Sequence, residues 1–318
     1  MAYQRAALIY NPTSGRKRHL RQQKVDEAKE ILARLIPRVD VMPTERPGHA
    51  AELARIAIEN GCDLLAICGG DGTMNEVIGV VADSAAAILP LQAGTANVLA
   101  EETGLPPDPP KAAAMLGDLE RCQVRLGKVT PESGAPARRF LLMCGGGIDA
   151  KVVYNLDTDL KKYLGQGAYF LASLEQMQRP FEPFRIRIDG EDIDCTFVLI
   201  SKSSMYGGHL KFAENAHLLD DTFEVVVFRA DSPLRYVGYL AQAATGTLDL
   251  FDDVTFHRTT RVDLIGAAGG TVHMEVDGEY AGKAPAAIEL GNETINLLLP
   301  PDYVEERRPA LQSRGAEV

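Results

Sequence analysis

The sequence feature that most constrains the fold is the glycine-rich stretch Gly69–Thr73, which follows the apolar run Cys62–Cys68 and precedes a helix-like pattern. Glycine permits positive φ and close approach of a ligand, and the amides at the start of a helix favour an anion. The stretch therefore predicts a phosphate-binding turn with Asp71 beside it. Thr73 and Glu76 also match a capping box, so a well-capped strand-to-helix turn explains the same residues without a ligand.

Strand-like and helix-like segments alternate through the first part of the chain. The predicted strands are Arg5–Tyr10, Val39–Met42, Asp63–Cys68 and Ala87–Leu91, and the predicted helices are Leu20–Ile36, Pro47–Glu59, a helix after Thr73, a helix after Asn97 and Lys111–Leu119. Such alternation predicts βαβ units and a parallel sheet, in which ligands bind beyond the carboxyl ends of the strands. Because Asn11–Gly15, Thr44 and Gly69–Thr73 each follow a strand end, we expect them to converge on one site.

From about residue 121 the pattern becomes mainly strand-like. The predicted strands are Cys122–Val129, Phe140–Met143, Arg185–Ile188, Thr196–Ser201, Thr222–Arg229, Val254–Phe256, Arg261–Ile265, Thr271–Val276 and Ile295–Leu299, interrupted by helices at Leu160–Gln178 and Pro233–Ala244. This order predicts an α/β domain over residues 1–125 and a β-rich, antiparallel domain over residues 126–300. The polar tail, residues 301–318, is expected to be loose or to dock on the first domain.

Composition narrows the classes of partner. The net charge of −11 argues against nucleic acid, which requires a basic surface. A local basic cluster fits a nucleotide, anionic lipid headgroups or simply a solvated helix face; it consists of Arg16, Lys17, Arg18, Arg21 and Lys24. The five cysteines have no paired metal spacing, and no apolar run reaches the ~20 residues of a membrane-spanning helix. We therefore expect a reduced, cytoplasmic protein.

Several short motifs, taken in order, resemble one family. They are Asn11–Gly15, Gly69–Glu76, Gly94–Asn97, Gly145–Ala150, Tyr206–Gly208, Leu218–Asp221 and Asp277–Tyr280. The ordered set is similar to the catalytic domain of the diacylglycerol kinase family, and most similar to its bacterial soluble lipid kinases, which are related to sphingosine kinases. The resemblance implies a Rossmann-like parallel α/β domain followed by a β-sandwich domain, with the active site in the cleft between them.

The resemblance also implies that ATP and Mg²⁺ are used. It places the nucleotide against Asn11, Ser14, Gly15, Arg16, Thr44, Gly69, Gly70, Asp71, Gly72, Thr73, Asn75 and Thr95, with the catalytic metal near Asp71. It implies a second, structural Mg²⁺ bound by Asp221 and the carbonyls of Leu218 and Phe223, although an ordinary acidic turn explains those residues equally simply. His209 and His217 flank this turn and are read as surface or core residues.

The lipid acceptor is expected at a membrane surface, through peripheral and transient contact, and a homodimer is left open. An apolar stripe from Leu160 to Met177 is a candidate lipid slot, although a plain core face explains it more simply.

The general base has two candidates of the same local sequence. Asp189-Gly190-Glu191 and Asp277-Gly278-Glu279 each lie between strand-like runs, and Asp-Gly is a hairpin signal, so the residues alone do not choose between them. The resemblance selects Glu279 as the base that takes the substrate hydroxyl proton, with Asp277 beside it.

Two residues depart from the family pattern. Val98 follows the Gly94–Asn97 motif and Arg125 precedes Leu126-Gly127-Lys128, where relatives often carry Asp. These changes support an alternative in which the chain is a weakly active or non-catalytic nucleotide- or lipid-binding protein. A second alternative is an NAD kinase-like enzyme, which shares the Gly-Gly-Asp-Gly-Thr motif.

Overall fold

The computed structural model describes residues 3–15, 20–147, 181–208, 210–230, 232–267 and 270–307. The chain divides into two compact units, Met1–Arg125 with Asn292–Val318, and Leu126–Gly291. The first unit thus includes residues 292–300, which the sequence pattern assigned to the second domain. The reason is that the last strand ends beside a strand of the first unit.

The first unit is built on parallel strands with helices between them. Its elements are β1 (Arg5–Tyr10), α1 (Arg21–Ala33), β2 (Arg38–Pro43), α2 (His49–Glu59), β3 (Leu64–Cys68), α3 (Asp71–Val81), β4 (Ala87–Pro90), α4 (Val98–Thr103) and α5 (Pro109–Ala114). The strand order is β2-β1-β3-β4, all pairs being parallel. Such strands are covered on both faces, and the side chains of β1 and β3 are accordingly almost all buried.

The helices of this unit follow their apolar spacing. In α1 the buried residues Val25, Ala28 and Leu32 recur at the three- and four-residue spacing of one helix face. They join the sheet residues Leu8 and Leu64 in one core. The helix predicted at Lys111–Leu119 starts earlier, at Pro109, because proline is well suited to the first turn of a helix.

The second unit consists mainly of antiparallel strands. In chain order its elements are β5 (Glu120–Pro131), β6 (Arg138–Phe140), β7 (Met143–Gly147), β8 (Phe184–Ile188), β9 (Glu191–Cys195), β10 (Phe197–Ser201), β11 (Met205–Tyr206), β12 (Leu210–Lys211), β13 (Phe223–Phe228), α6 (Pro233–Ala243), β14 (Val254–Thr259), β15 (Arg261–Gly266), β16 (His273–Val276), β17 (Glu279–Lys283) and β18 (Ala286–Leu299). β5 begins, and β18 ends, in the first unit.

Two layers of these strands enclose one core. One layer has the order β14-β13-β10-β7-β16-β17, and the other places β18, β15, β8 and β9 side by side. The core includes Phe140, Phe184, Val198, Val225 and Leu264, which come from strands of both layers. A parallel α/β unit followed by an antiparallel β-sandwich confirms the predicted fold class.

The long strand β18 changes partner along its length. Its first part pairs with β15 in antiparallel register, and Asn296 and Leu297 pair in parallel with Ala87 and Ile88 of β4. The chain then forms a short helix, α7 (Pro301–Glu305), whose Tyr303 hydroxyl donates to Glu102 Oε1 at 2.7 Å. The described part of the tail thus lies against the first unit.

No helix in the described ranges is long and apolar enough to cross a bilayer.

Candidate functional site

The loops after β1, β3 and β4 meet at the carboxyl ends of the parallel strands, and the loop after β2 is bonded to the end of β1. The loop after β1 begins at Asn11, whose backbone N–H donates to Cys68 O at 2.9 Å at the end of β3. The loop after β4 contains Ala93, whose N–H donates to Gly69 O at 2.6 Å. Thr44, after β2, donates its N–H to Tyr10 O at 2.8 Å. The predicted convergence of the strand-end loops is therefore present in the structure.

The glycines of these loops allow their close approach. A Cβ built on Gly70 would lie 3.2 Å from Gly94 Cα and 3.6 Å from Ser14 Oγ, and one built on Gly94 would lie only 2.5 Å from Gly70 Cα. Gly15 has φ +70°, and its Cβ would lie 2.5 Å from Ala93 O. Side chains at these positions would force the loops apart, so the glycines define the shape of the site.

A buried arginine joins the loop after β1 to the loop after β4. Arg21, at the start of α1, donates Nη2 to Ser14 O at 2.8 Å and to Ala93 O at 2.5 Å, and only 7% of the residue is exposed. The sequence pattern placed Arg21 in a basic cluster but did not indicate this role. No local signal identifies it, because one of its partners lies 72 residues away along the chain.

Asp71 is the first residue of α3 and is held by another helix. Its carboxylate accepts the backbone N–H groups of Val98 at 3.2 Å and Leu99 at 3.4 Å, at the start of α4. Burial raises the pKa of this carboxyl, and these hydrogen bonds act in the opposite direction. At position 98 it is therefore the backbone amide, present in any residue except proline, that contacts Asp71.

The predicted capping box is wrong. The N-cap of α3 is Gly70, so Thr73 already lies inside the first turn and makes no cap hydrogen bond. Glu76 instead accepts the N–H groups of Gly48 at 2.8 Å and Ala50 at 3.1 Å. The Glu76 carboxylate therefore caps the start of the preceding helix, α2, where its negative charge also interacts favourably with the positive end of the helix dipole.

The residues predicted to surround the nucleotide fall into two groups by burial. The partly or fully exposed ones are Asn11, Ser14, Gly15, Gly70, Asp71, Gly72 and Thr95. The buried ones are Thr44, Gly69, Thr73 and Asn75. Thr73 packs against Gly69, where an added Cβ would lie 2.5 Å from Thr73 Oγ1. Arg16 lies outside the described residues.

Both Asp-Gly-Glu triplets form tight hairpins in the second unit. Asp189 (φ 51°) and Gly190 (φ 89°) join β8 to β9, and Asp277 (φ 49°) and Gly278 (φ 82°) join β16 to β17. Two successive positive φ angles are typical of a type I′ turn. The hairpin prediction is confirmed for both, and their difference lies in what the side chains contact.

Asp277 anchors its hairpin to the neighbouring strands. Its carboxylate accepts three backbone N–H groups, from Leu141 and Leu142 at 2.9 Å and from Met143 at 3.0 Å. These bonds interrupt the strand predicted at Phe140–Met143, which the structure divides into β6 and β7. Asp189 accepts instead one hydroxyl, that of Thr259, at 2.8 Å.

Glu279 is partly exposed and paired with an arginine that the sequence pattern did not single out. Arg138 Nη2 lies 3.1 Å from Glu279 Oε2, and Arg138 Nη1 donates to Tyr280 O at 2.6 Å. The side chain of Glu279 keeps 44% of its surface exposed. A carboxylate fixed in orientation yet open to solvent can accept a proton from a ligand hydroxyl.

Two cationic side chains contact Asp220 in the Leu218–Phe223 turn. Leu218 and Phe223 are buried, and Asp220 is bound by Arg258 Nη1 at 2.8 Å. The buried Lys202 also donates Nζ to Asp220 O at 3.2 Å. Over the described ranges, no group of three or more His, Cys, Asp or Glu side chains is arranged to hold a metal ion. The contacts with Asp220 involve none of the ligands that the resemblance implied, Asp221 and the carbonyls of Leu218 and Phe223, so the second Mg²⁺ stays a prediction.

Other predicted features fall partly or wholly beyond the described ranges. The Leu160–Met177 stripe, His209 and the motif residues Ile148–Ala150 are not among the described residues. His217 is described and is buried, accepting the N–H of Leu219 at 3.2 Å, which agrees with a structural role.

Comparison with known proteins gives one consistent result. The family described as "Diacylglycerol kinase catalytic domain" matches residues 5–129, and the "YegS C-terminal NAD kinase beta sandwich-like domain" matches residues 143–299. The diacylglycerol kinase of Bacillus subtilis (strain 168) is 28% identical over 95% of this chain and 98% of its own length. That of Staphylococcus carnosus (strain TM300) is 25% identical over 94% of this chain and 96% of its own.

A solved structure agrees at the level of the fold. The crystal structure of a diacylglycerol kinase from Bacillus anthracis str. Sterne superposes with a TM-score of 0.75 and 20% identity, covering 95% of this chain and 99% of that one.

Proposed function

The chain belongs to the diacylglycerol kinase catalytic-domain family and is a lipid kinase, and from this premise we propose that it transfers the γ-phosphate of ATP to a hydroxyl of a diacylglycerol-like or sphingoid lipid. The family implies ATP as the phosphate donor. The acceptor, the base and the metal belong to the proposal.

The convergence of three strand-end loops around the start of α3 is the observation that carries the proposal. Gly70 and Gly94 bring two loops within contact distance, and Arg21 ties the third to them. The backbone amides at the start of α3 attract phosphate because they have no intrahelical acceptor and lie at the positive end of the helix dipole. These loops would hold the phosphates of ATP in place of a P-loop, whose sequence is absent.

We assign proton removal to Glu279. Its carboxylate would take the proton of the lipid hydroxyl while that oxygen bonds to the γ-phosphorus and the bond to the β-phosphate oxygen breaks, releasing ADP. Arg138 supports this role by fixing the carboxylate while leaving it accessible. Asp277 would act as a positioning residue, because its carboxylate is committed to backbone amides.

Magnesium fits the first unit only as an ion shared with the substrate. Mg²⁺ in kinases is commonly held by one or two carboxylates together with substrate phosphates and water, and would neutralise charge on the phosphates. Asp71, which accepts the amides of Val98 and Leu99, offers one such carboxylate at the start of α3.

The placement of the active site in a cleft between the domains stays a prediction. So do a cytoplasmic location, a transient, peripheral contact with a membrane and a homodimer.

Phosphate transfer from γ-labelled ATP to a panel of acceptors tests the proposal. The panel contains mixed micelles of diacylglycerol, a sphingoid base, phosphatidylglycerol or a prenol, together with NAD as a soluble acceptor. We expect label in one lipid class and none in NAD. Labelled NADP would instead support the NAD kinase-like alternative, and the absence of any labelled lipid would contradict the proposal.

The second candidate is a nucleotide- or lipid-binding protein with little or no turnover. Val98 and Arg125 favour it because they stand where relatives often carry carboxylates, and Arg125 donates to Asn292 Oδ1 at 3.2 Å. ATP binding measured by calorimetry, with no product in the transfer assay, would support this candidate. Recovery of turnover in Arg125→Asp would show that the lost carboxylate is the cause.

A further inference from the structure

Exposed apolar side chains are concentrated on one part of the second unit. Seven large apolar side chains of the described ranges are exposed, and four of them come from a single stretch of chain: Leu234, Val237, Leu250 and Phe256. Leu234 and Leu250 are the most exposed of the seven, at 82% and 72%. Single apolar residues at a surface are ordinary, whereas a concentration of them indicates a contact surface.

The helix α6 is apolar on both of its faces. Its inner face carries Tyr236 and Tyr239, which are buried and three residues apart. At about 3.6 residues per turn, Leu234, Val237 and Ala241 fall on the opposite face, and all three are exposed. A surface helix of a globular protein normally carries polar residues on its outer face, so the outer face of α6 is unusual.

The other polar side chains of α6 are engaged along its edges. Arg235 donates Nε and Nη2 to Asp253, both at 2.8 Å, and its guanidinium lies 4.3 Å from the centroid of the Phe251 ring. Near the end of the helix, Gln242 Oε1 accepts the hydroxyl of Thr247. Apart from these two side chains and the two tyrosines, α6 contains only apolar residues. Its outer face is therefore left apolar.

The remaining exposed side chains lie beside this helix. Phe251 follows Leu250 directly and packs on Tyr239 of α6, with the ring centroids 5.0 Å apart. In the β13–β14 register, Phe256 shares a sheet face with Phe228, whose ring centroid lies 5.1 Å from that of Tyr239. The four exposed side chains thus belong to one surface, the α6 surface, which is formed by α6, the turn at Leu248–Leu250 and β14.

We propose that the α6 surface docks the protein on a membrane by inserting apolar side chains among the lipids, and not by attraction to anionic headgroups. The inference rests on the proposed function, because a diacylglycerol-like or sphingoid acceptor lies in a bilayer and is reached from water. Apolar side chains on the outer face of a surface helix can enter the boundary between headgroups and acyl chains. Their burial there removes them from water and supplies the favourable free energy.

Charge distinguishes between kinds of membrane. Asp249 and Asp252 are exposed on either side of Leu250 and Phe251, and the chain as a whole has a net charge of −11. The one basic side chain of α6, Arg235, is neutralised by its ion pair with the Asp253 carboxylate. An anionic lipid surface would repel this acidic rim, so the α6 surface fits a zwitterionic membrane better.

Vesicle flotation of the full chain tests the inference, and it is done without ATP so that the result does not depend on turnover. Vesicles of phosphatidylcholine, alone or mixed with phosphatidylglycerol, are used at low and at high salt. We expect the wild type to float with phosphatidylcholine vesicles to the same extent at both salt concentrations. Leu234→Ser and Leu250→Ser should each weaken binding about 10-fold or more, because each removes one leucine from the apolar contact.

An exposed leucine of the first unit provides the matched control. Leu35 is 52% exposed, and Leu35→Ser should bind vesicles as the wild type does. A short-chain diacylglycerol dissolved as monomers separates docking from catalysis, since all three variants should phosphorylate it at the wild-type rate. Vesicle binding through the two leucines, with no turnover of any lipid, would support docking and contradict the proposed function.

Three flotation results would overturn the inference. They are no flotation of the wild type, flotation that requires phosphatidylglycerol and is lost at high salt, and an equal loss of binding in Leu35→Ser. Sedimentation velocity without lipid supplies a further test. A wild-type dimer that becomes a monomer in Leu234→Ser would also overturn the inference, because a second copy of the chain would then cover the α6 surface.

Discussion

At the scale of single residues, the two Asp-Gly-Glu hairpins show that the same local sequence can make different side-chain contacts. Their backbones are alike, with positive φ at both turn residues. Asp277, however, accepts three backbone amides, whereas Asp189 accepts one hydroxyl. Glu279 faces Arg138, and that arginine comes from the strand that precedes the amides bound by Asp277. The partners, not the triplet, make one hairpin a candidate for catalysis.

The first prediction compares the two turn aspartates. Asp277→Asn replaces one acceptor oxygen by an NH₂ group facing backbone donors, so we expect a loss of about 2–3 kcal/mol in the free energy of unfolding. Asp189→Asn should lose about 1 kcal/mol or less, because only one hydroxyl bond is affected. Urea denaturation of both variants measures the difference. Equal losses of unfolding free energy in the two variants would contradict the stabilising role of the three amide hydrogen bonds to Asp277.

Residue-scale prediction from the sequence succeeded for backbone-determined features and failed for long-range side-chain contacts. Both Asp-Gly turns were predictable, because an Asp-Gly pair by itself favours the positive φ angles of a hairpin turn. Arg21, Arg138 and Lys202 were not, because each acquires its role from acceptors on strands or loops brought near by folding. Glu76 was read as part of a capping box although it caps a different helix.

At the scale of elements, the site in the first unit depends on how closely the loops after β3 and β4 can approach. Gly94→Ala would place a Cβ 2.5 Å from Gly70 Cα, a distance that backbone atoms must relieve by moving apart. We therefore expect the KM for ATP to rise about 10-fold or more while the protein still folds. Steady-state kinetics at varied ATP measures the change.

A glycine in the adjoining helix provides the control for this variant. Gly79 lies within α3, and an added Cβ there meets nothing within 4 Å. Gly79→Ala should keep the KM for ATP and raise the free energy of unfolding by up to about 1 kcal/mol, because alanine favours the helix. A normal KM in Gly94→Ala would contradict the role given to the close approach of the loops.

The junction of α6 with the start of β14 gives a pH-dependent prediction. Asp253 accepts Arg235 Nε and Nη2, both at 2.8 Å, and the Tyr239 hydroxyl at 2.7 Å. The Arg235 hydrogen bonds, with that of Tyr239, lower the pKa of Asp253 below its ordinary value of 3.8. Because the folded-state pKa is the lower one, the stabilisation is complete above about pH 4 and is lost as the pH falls through the folded-state pKa.

Replacement of the Asp253 carboxylate should therefore lower the free energy of unfolding only where the wild-type carboxylate is ionised, above about pH 4. We expect Asp253→Asn to lose about 1 kcal/mol of unfolding free energy at pH 7, and the difference from the wild type to shrink below about pH 4. Urea unfolding at several pH values measures it. A difference that persists unchanged in acid would assign the effect to packing rather than to the charge.

At the scale of the whole molecule, apolar patterning and strand-end motifs were enough to predict a parallel α/β unit followed by a β-rich, antiparallel unit, and the family resemblance implied that the second unit is a sandwich. The return of the chain to the first unit was not predictable from pattern, because β18 is one continuous strand whose two ends pair with different neighbours. The predicted β-strand at Ile295–Leu299 covers only the end of it. Periodicity identifies a strand but does not name its partners.

The measurement that most directly tests phosphoryl transfer with Glu279 as base is the turnover of Glu279→Gln beside its matched control, Glu191→Gln. Both variants change the last residue of an Asp-Gly-Glu triplet on a hairpin of the second unit. We expect Glu279→Gln to lose at least about 100-fold in kcat for the preferred lipid with ATP affinity unchanged, and Glu191→Gln to match the wild type. A Glu279→Gln enzyme with wild-type kcat, or an equal loss in both variants, would contradict the assignment.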